Sequence, residues 1–227
     1  MAAREVDPRV KAGLERQLEE WRRLLGQGAH RRGWKIGFNA LQAQQALGLR
    51  EPVIGFLTSS TEVGPDGSHS LAGASRPLVE VEVAIELRRD VGPGAEVDEA
   101  LAAIESLGPA IELIDMPGLP DDLEQALAGN VFHRAVVFGP HRQDAAVGGI
   151  VATITVSGEE RESAPAEVDL AETIRLVADL LAACGEGLEA GDRIIAGTLT
   201  RPVPVKAGDR VRAELGPLGG AELSLTA

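Results

Sequence analysis

The sequence of 227 residues predicts an α+β fold with an extensive antiparallel or mixed sheet. The clearest strand covers residues 79–87, where apolar residues occupy every second position. Two other stretches, one near the N terminus and one at 169–185, repeat apolar residues every three or four positions, as amphipathic helices do. Helices and strands do not alternate regularly, so a doubly wound parallel sheet is not expected.

The N-terminal elements are predicted to be mainly helical. Asp7 and Pro8 begin a helix that ends at Gly26. Its apolar face consists of Val10, Leu14, Leu18, Trp21 and Leu25. A short strand is expected at 33–38, and Asn39 is expected to cap a brief helix that ends at Gly48.

The middle of the chain is expected to alternate short elements with turns. Residues 51–77, rich in Gly, Ser and Thr, should form loops and short strands. The spacing of apolar residues predicts a helix over 97–107, which the Gly108-Pro109 pair ends before a strand at 110–114. The following elements are a short helix near 121–127 and strands at 135–138 and 150–156.

The C-terminal third is predicted to contain one long helix and several short strands. The helix begins near Asp169, where Glu172 completes a capping box, and ends at Gly185. The later strands are expected at 193–196, 203–205, 210–215 and 222–225. We expect a single domain over 1–227, with a mainly helical segment at 1–50 and a β-rich core at 51–227.

The composition narrows the classes of partner and compartment. The formal charge of −13, without any block of Lys or Arg, argues against binding to nucleic acid or to an anionic membrane. No stretch approaches the roughly 20 apolar residues of a membrane span, and the charged N terminus lacks the apolar core of a secretory signal. The lone Cys184 cannot form an internal disulfide. We therefore expect a cytoplasmic protein whose partners are small molecules or proteins.

Several common catalytic motifs are absent from the sequence. It contains no G-x-G-x-x-G, G-K-[ST] or G-x-S-x-G segment. The spacing of the four histidines is not that of metal ligands, which argues against a zinc site: His30, His69, His133 and His141.

Three acidic residues are the candidates for a metal site. Glu80 and Glu82 lie on one face of the predicted strand, about 6.6 Å apart along the chain. Two carboxylates at that distance repel each other unless a cation or a proton lies between them. Glu112, inside another apolar strand, would supply a third oxygen ligand of the kind that Mg²⁺ or Mn²⁺ prefers. The alternative is that all three simply face solvent.

Lys35 is the candidate cation, because it lies in a short apolar strand bounded by glycines. It would bind a substrate carboxylate or donate a proton, or else extend its ammonium group into solvent.

Taken together, these segments resemble the 2-keto-4-pentenoate hydratase / 4-oxalocrotonate decarboxylase group of the fumarylacetoacetate hydrolase superfamily. The similarity covers nearly the whole chain, in the order of the family. The matching segments are 34–39 (WKIGFN), 44–48 (QQALG), 55–57 (GFL), 79–84 (VEVEVA), 109–115 (PAIELID), 129–130 (GN), 191–200 (GDRIIAGTLT) and 204–209 (PVKAGD).

The resemblance implies a catalytic domain with a mixed β-roll, assembled into a homo-oligomer. It also implies an Mg²⁺ or Mn²⁺ ion bound by Glu80, Glu82 and Glu112, with Lys35 as the catalytic residue beside a small 2-oxo acid. The substrate-binding residues that it implies are Lys35, Ile36, Asn130, Thr198 and Thr200. The expected activity is hydration of a 2-hydroxy-2,4-dienoate or decarboxylation of an oxalocrotonate-like acid.

The sequence also departs from the pattern of this family. The acidic pair that usually follows the match to 55–57 is replaced by Thr58, Ser59 and Ser60. Loss of this acidic pair favours decarboxylation over hydration more than the family pattern alone does. It also leaves a non-catalytic or weakly catalytic partner subunit as an alternative. A C–C bond hydrolase is a third option.

After Asn130, the bulky residues 131–134 replace the small residues that are usual in the family. We expect His133 and Arg134 to face solvent; if either points inward, it would favour a substrate with a second acidic group.

Overall fold

A computed structural model describes residues 4–64, 67–143 and 145–227. Residues 65 and 66, part of the segment expected to form loops and short strands, lie outside the described residues, as do residues 1–3 and 144. The helices are α1 (Pro8–Gly26), α2 (Leu41–Leu47), α3 (Val97–Ala102), α4 (Leu123–Ala128) and α5 (Leu170–Ala183). The strands are β1 (Arg31–Gly37), β2 (Val53–Thr58), β3 (Ser68–Ser70), β4 (Pro77–Leu87), β5 (Ile104–Asp115), β6 (His133–Phe138), β7 (Val151–Val156), β8 (Glu159–Pro165), β9 (Arg193–Ile195), β10 (Val203–Pro204), β11 (Arg210–Glu214) and β12 (Gly220–Thr226).

The strands form two sheets, and the larger one carries the candidate site. Its order is β2-β1-β9-β4-β5-β6, with β10 paired to β4. The β1 and β9 strands run parallel, whereas the other neighbouring strands of this sheet are antiparallel. The second sheet has the order β3-β12-β11-β7-β8. The fold is therefore α+β with mixed sheets, as the sequence predicts.

The larger sheet has two different faces. One face contributes Trp34, Val81 and Ile111 to the main hydrophobic core, on which the apolar face of α1 also packs. The other face carries a smaller cluster of buried apolar residues: Leu57, Ala84, Ala110, Val136 and Ile195. Because successive side chains of a strand point to opposite faces, this second face also receives Lys35 and the three acids.

The helix expected over 97–107 is correct only in its first half. Helix α3 ends at Ala102, and the chain continues as β5 from Ile104. Strand β5 pairs with β4 along nearly its whole length, and this pairing overrides the helical spacing of Ile104 and Leu107. Gly108 lies inside β5 rather than before it. A glycine is required there because a Cβ atom would come within 2.8 Å of the carbonyl oxygen of Pro140.

Two smaller expectations also differ from the structure. Asn39 does not cap α2, whose N-cap is Ala40; its amide donates instead to the carbonyl oxygen of Thr198 at 2.9 Å. Strand β8 was not predicted, because its side chains are mostly polar and exposed and show no apolar alternation. It pairs with β7 across the predicted Ser157-Gly158 turn.

None of the helices among the described residues combines the length and the apolar character that spanning a bilayer requires.

Candidate active site

The three predicted acids converge on one face of the larger sheet. Glu80 on β4 lies directly opposite Glu112 on β5 in the antiparallel register, and Glu82 follows two residues later on the same face. One carboxylate oxygen from each residue lies within 4.8 Å of the other two. The Glu82 and Glu112 side chains are fully buried, and Glu80 is partly exposed. The alternative of three solvent-facing acids is therefore wrong.

Among the described residues, the hydrogen bonds of the acids leave two buried oxygen atoms without a partner. Glu82 Oε2 accepts a hydrogen bond from the backbone N–H of Gly197 at 2.6 Å. Glu112 Oε1 lies 2.7 Å from Lys35 Nζ and 2.7 Å from His133 Nδ1. Glu82 Oε1 and Glu112 Oε2 are buried and have no hydrogen-bond partner among the described residues. Buried carboxylate oxygens without partners are costly, and a divalent cation would satisfy them.

Lys35 is buried beside the acids, with 2% of its side chain exposed. Its ammonium group also donates to the carbonyl oxygen of Val131 at 3.1 Å. Gly55 on β2 makes room for the lysine stem, because a Cβ atom at Gly55 would lie 2.9 Å from Lys35 Cγ. The alternative, in which Lys35 extends its ammonium group into solvent, is therefore wrong.

The shared burial shifts the pKa values of the acids in the metal-free protein. Burial, assisted by the charge of Glu112, raises the pKa of Glu80 to about 8. Burial and the two neighbouring carboxylates also raise the pKa of Glu82 well above its usual value. Burial acts in the same direction on Glu112, but the charge of Lys35 and the hydrogen bond from His133 outweigh it and hold the pKa of Glu112 below its usual value. Without a metal, Glu80 and Glu82 therefore keep their protons to a higher pH than ordinary glutamates do, while Glu112 is ionised beside Lys35.

A cleft of about 310 Å³ opens above this cluster. Lys35, Glu80 and Thr198 contribute its polar wall, and Ile36 lies beside them. The opposite wall is apolar and consists of Phe38, Ile114, Met116, Leu119, Val131 and Phe132. Another cavity of about 340 Å³, near the start of α1, contains none of the predicted site residues. The cleft is therefore the place where a small acid can reach Lys35 and Glu80, next to the two buried carboxylates.

Three of the predicted substrate-binding residues have polar side chains that bond within the chain. The hydroxyl of Thr198 donates to the carbonyl oxygen of Thr200 at 2.8 Å. The amide of Asn130 bonds the backbone of Phe56 in both directions, at 2.8 and 3.0 Å. The hydroxyl of Thr200 bonds the carbonyl oxygen of Arg201 at 3.3 Å. Contact with substrate stays a prediction for all of the predicted substrate-binding residues, of which Lys35, Ile36 and Thr198 line the cleft.

His133 is the site residue that the sequence interpretation missed. It was expected to face solvent, but its side chain is fully buried against Glu112. The pairing of β5 and β6 shifts by one residue between Leu113 and Ile114, so that Arg134 has no partner in the ladder. This bulge turns His133 inward and Arg134 outward, where it bonds the carbonyl oxygen of Ala72 at 3.0 Å. Burial lowers the pKa of His133 despite the neighbouring carboxylate of Glu112.

The segments in which the sequence departs from the family pattern meet at this histidine. His133 Nε2 lies 3.0 Å from Thr61 Oγ1, which in turn bonds the carbonyl oxygen of Thr58 at 3.3 Å. The hydroxyl of Thr58 is 2.7 Å from that of Ser60. Neutral hydroxyl groups therefore occupy this side of the cluster.

Comparison with known proteins agrees with this geometry. A family model described as fumarylacetoacetate (FAA) hydrolase C-terminal matches residues 21–225. The chain belongs to this family. It is 32% identical over 231 aligned positions to a 4-oxalocrotonate decarboxylase from a Pseudomonas species, covering 97% of this chain and 88% of that protein. It is 29% identical to a 2-hydroxyhexa-2,4-dienoate hydratase from Comamonas testosteroni, covering 86% and 78% of the two chains.

Solved structures of this family show the same fold. The 4-oxalocrotonate decarboxylase from Pseudomonas putida G7, complexed with magnesium and adipate, matches with a TM-score of 0.84 and 25% identity over 92% of this chain and 83% of that one. A fumarylpyruvate hydrolase from Pseudomonas aeruginosa, with Mn²⁺ and pyruvate, matches with a TM-score of 0.65 and 16% identity over 87% and 90%. The family resemblance and the α+β fold predicted from the sequence are thus confirmed.

Proposed function

We propose that the protein is a divalent-metal-dependent lyase that acts on a small 2-oxo acid by decarboxylation or hydration. The observation that supports this function best is the pair of unpartnered carboxylate oxygens on Glu82 and Glu112, beside buried Lys35 and below an open cleft. The decarboxylase and hydratase names of its relatives agree with it.

The donor set fits Mg²⁺ or Mn²⁺. Glu80, Glu82 and Glu112 would hold the ion through hard carboxylate oxygens, and a dication would displace the protons that burial keeps on Glu80 and Glu82. When bound, the metal supplies a Lewis acid that polarises the 2-oxo group.

Lys35 gives the chain its own contribution to the chemistry. Its ammonium group is the cation on the cleft wall, so it is placed to hold the substrate carboxylate and to move a proton. The apolar wall, including Phe132 and Leu119, excludes water from the distal part of a bound acid.

Between the two reactions, the cleft favours decarboxylation. Hydration needs a group that activates water and one that protonates carbon. The described residues on the cleft wall offer no carboxylate except Glu80 and no imidazole, and hydroxyl groups occupy 58–60. In decarboxylation the bond to the departing carboxylate breaks, and its electron pair moves into the conjugated 2-oxo group. CO₂ leaves, and Lys35 can donate a proton to the resulting enolate oxygen on C2, which gives the neutral dienol.

The test is turnover by the purified full chain with Mg²⁺ or Mn²⁺. A 2-oxo-3-enedioate should release CO₂ and form the ultraviolet-absorbing dienol, faster than a 2-hydroxy-2,4-dienoate is consumed. Glu82→Gln should abolish turnover and weaken metal binding. Glu86→Gln is the control, because Glu86 lies further along the same strand and bonds Ser106. Turnover of neither acid by the metal-loaded chain would contradict the proposal and support the partner-subunit alternative.

We also propose that residues 1–227 act as one catalytic domain, in the cytoplasm, as a homo-oligomer. A large core cluster that joins residues from Val10 to Leu225 supports a single domain. The homo-oligomer is proposed from the family resemblance drawn from the sequence. Light scattering after size-exclusion chromatography tests the oligomer, and a monomer across micromolar concentrations would contradict it.

A further inference from the structure

We propose that His133, anchored by Thr61, is a positioning residue that holds Glu112 in the orientation needed for metal binding. This inference rests on the metal site of the proposed function. His133 is not among the residues that line the substrate cleft, and it contacts the Glu112 carboxylate instead. Its effect on the site is therefore exerted through Glu112.

The two oxygen atoms of Glu112 have different environments. Oε1 receives both donors, Lys35 Nζ and His133 Nδ1, each at 2.7 Å. Oε2 is buried and has no partner among the residues that the structure describes. Because Oε1 is saturated by two donors, Oε2 is the oxygen left for a cation. Groups that bond a metal ligand in this way fix its orientation and typically change metal affinity by about 10–100-fold.

His133 has the rigidity that this role requires. An ionised carboxylate only accepts hydrogen bonds, so Nδ1 of the neutral ring carries the proton. Nε2 then accepts the single hydroxyl hydrogen of Thr61 at 3.0 Å, in place of the longer 3.3 Å contact of that hydroxyl with the carbonyl oxygen of Thr58. The ring is therefore held at both nitrogen atoms, and its side chain is fully buried.

The backbone before His133 indicates that this placement is imposed. Three consecutive residues adopt positive φ angles, namely Asn130 at 56°, Val131 at 50° and Phe132 at 64°. For a β-branched residue such as Val131, this conformation is strained. It also directs the carbonyl oxygen of Val131 to Lys35, so one strained turn places both donors of Glu112.

Without His133, Lys35 is the one remaining donor to Glu112 among the described residues. Lys35 would then be able to share its ammonium group between both oxygens of Glu112, and Oε2 would no longer be reserved for the metal. We expect a lower metal affinity rather than a loss of fold.

The experiment measures Mn²⁺ affinity by titration calorimetry on the metal-stripped full chain, without substrate. His133→Leu should bind Mn²⁺ about 10–100-fold more weakly. His133→Asn keeps an N–H donor near the position of Nδ1 and should stay within about threefold of the unmodified chain. His141→Leu is the control, because His141 is mostly buried and bonds Ser106 on the same sheet, away from the three acids.

Each outcome decides the inference. Unchanged affinity in His133→Leu overturns it, and so does an equal loss in His133→Asn when thermal unfolding shows that variant intact. If His133→Leu fails to fold, His133→Gln replaces it: its amide extends to the level of Nε2 and should bind Mn²⁺ at least about tenfold more weakly than His133→Asn. Equal affinities of these two variants overturn the inference. Failure of the unmodified chain to bind Mn²⁺ refutes the metal site itself, and the positioning role with it.

Discussion

Removing the metal should make the stability of this protein fall as the pH rises, because of Glu80. In the metal-free chain, burial and the charge of Glu112 raise the pKa of Glu80 from an ordinary 4.5 to about 8. A carboxyl group with a raised pKa binds its proton more tightly in the folded state than in the unfolded state. Its contribution to stability is therefore complete below pH 4.5 and is lost progressively as the pH rises through about 8.

The size of this effect follows from the distance between the two pKa values. Each pKa unit corresponds to about 1.4 kcal/mol, so the free energy of unfolding should fall by about 2–3 kcal/mol between pH 5.5 and 7.5. For a chain of this length, 1 kcal/mol shifts the midpoint of thermal unfolding by about 2–4 °C.

Three histidines act in the opposite direction over part of this range. Burial lowers the pKa of His69, His133 and His141, so their contribution to stability is lost as the pH falls below about 6.5. The raised pKa of Glu82 acts in the same direction as that of Glu80. The informative quantity is therefore the difference between the unmodified chain and Glu80→Gln, in which the histidine contributions largely cancel.

The assay is urea unfolding at several pH values, after metal removal with EDTA and at one protein concentration. Relative to Glu80→Gln, the unmodified chain should lose about 2–3 kcal/mol between pH 5.5 and 7.5, and saturating Mn²⁺ should remove this loss. Glu86→Gln, on the same strand, should keep the pH dependence of the unmodified chain. A difference that does not change with pH, or that grows in the opposite direction, would refute the reasoning.

Three further substitutions test other parts of the site. Lys35→Met should lower kcat/KM at least about 100-fold. It should not weaken Mn²⁺ binding measured by calorimetry, because the substitution removes a cation that competes with the metal for Glu112. A parallel loss of metal affinity would contradict this. Gly55→Ala should destabilise the fold by about 1–3 kcal/mol in urea unfolding, since the added Cβ would lie 2.6 Å from Asn130 Oδ1, and a neutral effect would show that this contact relaxes freely. Arg134→Ala should leave the ratio of kcat/KM between dicarboxylic and monocarboxylic substrates unchanged, because Arg134 bonds Ala72 outside the cleft; a changed ratio would show that it contacts substrate.

Local periodicity was enough to predict much of the fold and part of the site. The alternation of 79–87 places Glu80 and Glu82 on one face, because side chains of a strand repeat every two residues. The apolar spacing of α1 and α5 likewise agrees with their buried residues. Lys35 was predicted as the cation of the site because a charged residue between apolar neighbours is unusual in a short strand.

Periodicity failed where two patterns overlapped or where a contact was distant. Ile104 and Leu107 have helical spacing, yet pairing with β4 placed them in a strand. Gly108 resembled a helix breaker but is required by the close approach of Pro140. These choices depend on partners far away in the sequence, which a local pattern does not contain.

The sequence by itself determined the residue types of the site, whereas only the tertiary structure decided their geometry. The register that sets Glu80 opposite Glu112 joins residues on different strands. The directions of the His133 and Arg134 side chains depend on one unpaired residue in β6. Because Arg134 has no partner in the ladder, the side chain that faces Glu112 is that of His133. A shift of one residue turns every following side chain to the other face of a strand, and the energy that selects the shift comes from packing between strands.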